Sequence, residues 1–253
     1  MSLIKSFIIA FSMYSKIPAP QFAWEEKDMR YVLIFFPWIG AVIGLLFYGW
    51  FAFCFHFGIG TICRTLVGAA IPLMISGGIH VDGYMDTMDA FHSYQSKERK
   101  LEILKDPHIG AFSVIMLILY YLIYIGAVSE VQSLQGILMI AIGFLIARCL
   151  SGIGVVTLQL AKKDGLLYTF AEGAERKTVL VWLLIQLGLG VAEILLFAGW
   201  KGAVVVCAAG LTFFYFRWRS YRELGGITGD TAGWFVTLCE GMIAVVVAVL
   251  SFL

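Results

Sequence analysis

Three aspartates, Asp82, Asp86 and Asp89, stand at i, i+4 and i+7 in the stretch Gly77-Gly78-Ile79-His80-Val81-Asp82-Gly83-Tyr84-Met85-Asp86-Thr87-Met88-Asp89. On a helix that spacing puts all of them on one narrow face. Like charges so placed repel by roughly a few tenths of a kcal/mol per exposed pair, so the face calls for a cation. Hard, oxygen-seeking Mg²⁺ suits it, because that ion takes one or two protein carboxylates and fills its other positions with water and substrate phosphate. The spacing alone would equally describe a solvated acidic surface. A Gly-Gly break before it, His80 beside it and basic residues after it favour a site. His80 lies off the carboxylate face, and its own chemistry leaves a structural and a functional role equally open.

Downstream, Lys97-Glu98-Arg99-Lys100-Leu101-Glu102-Ile103-Leu104-Lys105-Asp106 alternates charges on a predicted amphipathic helix that Pro107 terminates. Lys97 and Lys100 read as anchors to anionic headgroups. Arg99, Lys105 and Asp106 are candidates for work on a phosphate lying over the carboxylates, since a dianion needs cations beyond a metal. Further on, Gly225-Gly226-Ile227-Thr228-Gly229-Asp230 echoes Gly77-Gly78-Ile79-His80-Val81-Asp82. Glycines there allow close backbone approach and leave N–H groups to face an anion. Two such edges facing each other would make one site, bringing Asp230 to Asp82.

The elements that must position these residues are membrane spans. The chain of 253 residues is 60% hydrophobic and 14% charged, where a soluble domain carries about 45–50% apolar and about 25% charged residues. Apolar runs of about 20 residues recur near 31–57, 61–79, 109–128, 136–160, 178–199, 202–217 and 232–253. The prediction is an all-α, polytopic membrane helix bundle of about seven transmembrane helices, forming a single domain over 1–253. Gly58 and Gly60 make one short turn and Gly199-Trp200-Lys201-Gly202 another.

Basic residues gather in alternate loops: Lys5, Lys16, Lys27 and Arg30; Lys97 to Lys105; Lys162, Lys163, Arg176 and Lys177; Arg217, Arg219 and Arg222. The positive-inside rule places those loops, and the aspartates with them, in the cytoplasm. Only Arg64 and Lys201 fall near the opposite span ends. Arg148, Glu193 and Glu240 stand inside apolar runs, where an ionisable residue is a functional candidate by default; Glu240 is on the last span, within reach of its cytoplasmic end.

A net charge of +1 excludes a broad nucleic-acid surface. The five scattered cysteines, with no CxxC pair, argue against a disulfide framework or a zinc site. The opening Met1 to Ser15 lacks a small-residue cleavage site before Ile17-Pro18 and reads as a retained amphipathic or re-entrant segment.

Taken together, the residues resemble the cobalamin-5′-phosphate synthase family, whose members are adenosylcobinamide-GDP ribazoletransferases. The matching pieces run in order along nearly the whole chain: Ser15-Lys16-Ile17-Pro18-Ala19-Pro20; Gly77 to Gly83 with Asp86-Thr87 and Asp89; Arg99 to Asp106 with Gly110; Asp164-Gly165-Leu166; and Gly225 to Thr231. The resemblance implies a Mg²⁺-requiring enzyme of the prokaryotic plasma membrane, with its active site facing the cytoplasm. In such an enzyme a hydroxyl of α-ribazole or α-ribazole 5′-phosphate attacks the cobinamide-bound phosphate of adenosylcobinamide-GDP and releases GMP.

On that reading Asp82, Asp86 and Asp89 hold metal, Arg99 and Lys105 meet phosphate, and His80 or Asp230 is the general base. Asp106, Asp164 and Glu240 are further candidates. Lys162-Lys163 before Asp164 departs from the more proline- or arginine-bearing sequence expected there. Partners are the two substrates and the lipid bilayer, with no nucleic acid, and a homo-oligomer is left open. Two other readings compete. A CDP-alcohol phosphotransferase would need an Asp-Gly-x-x-Ala-Arg pattern, which does not follow Asp82-Gly83. A transporter lined by Arg148, Glu193 and Glu240 would place its richest cluster at mid-membrane rather than at an edge.

Overall fold

A computed structural model describes residues 2–20, 26–162, 168 and 173–253. The helices are α1 (Ser2–Tyr14), a 3₁₀ turn (Glu26–Tyr31), α2 (Val32–Phe57), α3 (Thr61–Ser76), α4 (Ile79–His92), α5 (Lys97–Ile103), α6 (Ala111–Glu130), α7 (Leu134–Thr157), α8 (Arg176–Ala198), α9 (Trp200–Leu224) and α10 (Gly229–Leu250). Every predicted span is therefore a helix. Among the described residues five helices, α2 with the turn before it, α6, α7, α8 and α10, are long and apolar enough to cross a bilayer. α3 and α4 pass the same test only as a pair, bent by 93°. α9 has 25 residues, enough to cross, but its last turns carry Arg217, Arg219, Arg222 and Glu223.

The bend has a local cause. Gly77 and Gly78 both adopt positive φ, 65° and 83°, a region that side-chain-bearing residues avoid. Two such residues in succession stop α3 and start α4 in a new direction, so α4 leaves the span and runs along the edge of the bundle. The N-terminal segment backs this joint: Lys16 N donates to the Ile75 carbonyl at 2.7 Å, and a Cβ on Gly77 would run into the Lys16 side chain.

α7 is the central helix, with 83% of its most apolar window buried, against 17% for α6 and 22% for α8, which face lipid. Lipid gives no hydrophobic drive between helices, so close backbone approach must hold them. Gly40 and Gly44 of α2 supply it: a Cβ on either would strike the α7 backbone at Phe144 or Ala141. This Gly-x-x-x-Gly seam is readable in the sequence as Gly40-Ala41-Val42-Ile43-Gly44, although the span-length reading above passes over it. At the edge away from the aspartates, Arg64 Nη2 donates to Gln132 Oε1 at 2.6 Å and Lys201 Nζ to the Leu250 carbonyl at 3.0 Å.

The basic segment departs from its sequence reading. α5 stops at Ile103, short of Pro107, and its start is capped by Ser96, whose Oγ accepts from Arg99 N. Lys100 is not a headgroup anchor. It is buried, and its ammonium donates to Glu223 Oε2 at 2.5 Å. Lys97 Nζ reaches the Tyr221 carbonyl at 3.5 Å. Both lysines tie α5 to α9 because the bent α4 delivers α5 against that helix instead of to the lipid surface.

Candidate active site

The two Gly-Gly edges meet. α4 crosses α10 so closely that a Cβ on Gly83 would lie 2.8 Å from the Asp230 carbonyl oxygen, and one on Gly233 3.3 Å from the His80 backbone. Their likeness extends to local structure, for each pair is a joint between two helices. Gly225, at φ 79°, caps α9, and Thr228 starts α10 through a capping box, its Oγ1 accepting from Thr231 N while Thr231 Oγ1 accepts from Thr228 N. Asp82 and Asp230 thus each sit in the first turn of a helix. There the helix dipole favours negative charge.

Beside this crossing lies a cavity of about 380 Å³. His80 and Asp82 line it from α4, Thr228 and Asp230 from the cap and first turn of α10, Lys105 from the turn after α5, and Lys162 from the segment after α7. Lys162 is placed by a short backbone pairing in which Ile227 N donates to the Gln159 carbonyl and Ala161 N to the Ile227 carbonyl, each at 2.9 Å. Its charge reaches Asp230. In the sequence Lys162 stands out only as one of the basic residues of a loop and as a departure from the family pattern. Its position beside Asp164 was the available signal.

Along α4, Asp82 is exposed at the cavity while Asp86 and Asp89 are half-buried. The Asp86 carboxyl is pushed up to about 6, by burial first and then by the charges of Asp82, Asp230 and Asp89. The four carboxylates therefore act on one another. Asp89 lies against the start of α6, where a Cβ on Gly110 would overlap its carboxylate. Among the described residues no three His, Cys, Asp or Glu side chains already close on a single metal position.

His80 is 7% exposed. Its ring stacks on Tyr14 with centroids 6.4 Å apart and meets Phe36 edge-on at 5.5 Å. Its Nε2 is buried without a hydrogen-bond partner among the described residues.

Other candidates stand apart from the cavity. Arg99 is exposed, with Nη1 donating to Glu102 Oε2 at 2.5 Å. Asp106 is exposed as well; the His108 amide, donating at 3.0 Å, and then the His108 ring hold its carboxyl below the usual range. Asp164 lies outside the described residues. Glu240 does not line the cavity but accepts from Arg148 Nη1 at 2.7 Å, and Glu193 is exposed on α8, so the three intramembrane ionisable residues form no common path.

Fold and site define a polytopic helical membrane protein with a charged cavity at one edge of its bundle. The chain belongs to the cobalamin-5-phosphate synthase family, whose model matches residues 6–248. A protein named adenosylcobinamide-GDP ribazoletransferase from Lachnoclostridium phytofermentans is 47% identical over 98% of this chain and 95% of its own. Proteins of the same name from Clostridium perfringens (31% identical, 93% of this chain and 94% of theirs) and Treponema denticola (32%, 94% and 95%) extend the likeness. No solved structure matches the chain. The protein is an enzyme, a multi-pass membrane transferase of cobalamin biosynthesis.

Proposed function

We propose that this enzyme joins adenosylcobinamide-GDP to α-ribazole or α-ribazole 5′-phosphate, releasing GMP, at the cytoplasmic face of a prokaryotic plasma membrane. Its relatives' names point to that reaction. The observation that carries the reading onto this chain is the meeting of Asp82 and Asp230 with Lys105 and Lys162 on one cavity wall. The alternating basic loops favour the cytoplasmic face.

The ribazole hydroxyl oxygen forms a bond to the phosphorus next to cobinamide. The bond from that phosphorus to the bridging oxygen breaks, its electron pair leaves with GMP, and the hydroxyl proton passes to a base of the site. Such a displacement demands charge neutralisation and in-line positioning more than covalent chemistry. Lys105 and Lys162 hold the pyrophosphate, and the positive dipole ends of α4 and α10 add to their field. With Asp82 given to the metal, His80 and Asp230 are the candidates on the wall to accept the proton.

The donor set fits Mg²⁺: all-oxygen, mutually repelling carboxylates, with no complete protein cage, as suits an ion that keeps water and substrate oxygens. Asp82, with Asp86 or Asp230, would hold it, and Asp89 would support that face. When bound, it would offset negative charge on the pyrophosphate oxygens.

The test is purified protein in lipid discs with Mg²⁺ and both substrates, read by chromatography. Formation of GMP together with the cobalamin product is expected. If neither appears, the reading fails.

A further inference from the structure

A second chamber, of about 20 Å³, is lined by residues of α3, α4, α6, α7 and α10. His80 lines both spaces. The chamber wall is polar where a bundle interior is ordinarily apolar, with Tyr124, Arg148, Thr237 and Glu240 among its residues. Arg148 Nη1 donates to Glu240 Oε1 at 2.7 Å and to the Phe144 carbonyl at 2.9 Å, so the ion pair compensates its own charge. Three further atoms of the wall's residues, His80 Nε2, Tyr124 Oη and Arg148 Nε, are buried and have no hydrogen-bond partner among the described residues.

Inside a membrane bundle no bulk solvent can satisfy such atoms, and leaving one unmet is costly. Three such atoms on residues lining one small chamber point to a shared occupant. A space of roughly 10–15 Å³ or more admits one water, which makes about three hydrogen bonds. The guanidinium opposes a cation there, and the carboxylate opposes an anion.

We propose that this chamber binds one ordered water that ties His80 Nε2 to the Arg148–Glu240 pair and Tyr124, making those three positioning residues for the imidazole. The inference rests on the reading in which His80 meets the attacking hydroxyl. A water has two lone pairs and two hydrogens. It accepts from His80 Nε2–H and Arg148 Nε–H and donates to Glu240 and to Tyr124 Oη. Which ring nitrogen of a histidine carries its proton is set by the bond that the other makes. Holding the proton on Nε2 leaves Nδ1 as an acceptor for the substrate hydroxyl, and Glu240 keeps the water turned to receive rather than to donate.

The chain has four histidines, few enough for histidine-selective ¹⁵N NMR of the whole protein in lipid discs, with His80 assigned by the loss of its signals in His80→Gln. The wild-type enzyme should show His80 as the Nε2–H tautomer. Tyr124→Phe, which keeps the ring, and Glu240→Gln should each shift or mix the His80 tautomers. Should Glu240→Gln fail to enter the membrane, Tyr124→Phe carries the test. In turnover, Tyr124→Phe should lower kcat about tenfold, within the range for coupled neighbours, with KM for adenosylcobinamide-GDP unchanged. It should lower kcat no further in a His80→Gln background, whereas an independent packing role would add to the loss. A wild-type Nδ1–H tautomer, or His80 signals unmoved by both variants, overturns the proposal. If the tautomer responds as expected but no GMP forms, the water site stands and the reaction assigned above falls.

Discussion

Asp82 and Asp230 come from opposite halves of the chain, yet they share one wall with two lysines. If both act on the transferring phosphoryl group, Asp82→Asn and Asp230→Asn should each lower kcat on the order of a hundredfold or more, with a smaller change in substrate binding. Asp106, turned to solvent and occupied by His108, is the control: Asp106→Asn should leave kcat within about twofold. Steady-state GMP release checks both.

Asp86 gives a prediction about stability. Its carboxyl titrates near 6 in the fold instead of near 3.8, so the folded state binds more protons than the unfolded chain between those values. Stability of the metal-free protein therefore falls as pH rises from about 4 to about 6 and stays lowered above, by on the order of 2 kcal/mol after allowing for solvent. Asp86→Asn should raise the melting temperature in EDTA at pH 7 and weaken that pH dependence, while Mg²⁺ should stabilise the wild type more than the variant.

α4 can cross α10 only because Gly83 has no side chain. The atom a Cβ would meet is backbone, at 2.8 Å, and backbone cannot rotate away as a side chain can. Gly83→Ala should cost about 1–3 kcal/mol and much of the activity by parting Asp82 from Asp230. Gly49, on α2 with nothing within 4 Å of its would-be Cβ, should accept alanine with unchanged or slightly raised stability. Thermal melts and turnover of the two variants make the comparison.

α5 in turn is held by Lys100 and Glu223, whose side chains are only 9% and 11% exposed. Lys100→Met keeps the aliphatic stem but leaves Glu223 to Arg219 at 3.5 Å and Arg222 at 3.9 Å. The expected loss is about 1–3 kcal/mol, with faster hydrogen exchange over 97–108 and a raised KM, because Lys105 follows directly on the loosened helix.

For the molecule as a whole, the sorting of basic residues becomes a statement about sides. The α4–α5 connection and the α9–α10 joint share the site's edge, while the α6–α7 connection with Glu130 lies at the other. In a background with the exposed Cys63 and Cys207 replaced by serine, cysteines at Ser93 and Arg222 should resist a membrane-impermeant thiol reagent in intact cells, and one at Glu130 should react. Labelling at Ser93 from outside would reverse the assigned orientation.

What the sequence determined by itself was local. Apolar run length located every span, the Gly-Gly pairs marked the joints, and the i, i+4, i+7 spacing aligned the aspartates on α4, since each depends only on neighbours along the chain. The placing of Asp230 beside Asp82 was also legible, through the repeated Gly-Gly-Ile pattern.

Tertiary structure alone decided which side chains look into the cavity. Lys162 enters it and Arg99 does not, because a backbone pairing between residues 159–161 and Ile227 draws one inward, while Glu102 on the exposed face of α5 satisfies the other. Lys100 found Glu223 instead of lipid, and Arg148 found Glu240 instead of an ion path. Partner choice of this kind depends on which helices lie side by side. In a membrane that follows from backbone approach at positions such as Gly40, Gly44 and Gly83, a property of helix pairs that no single segment's composition contains.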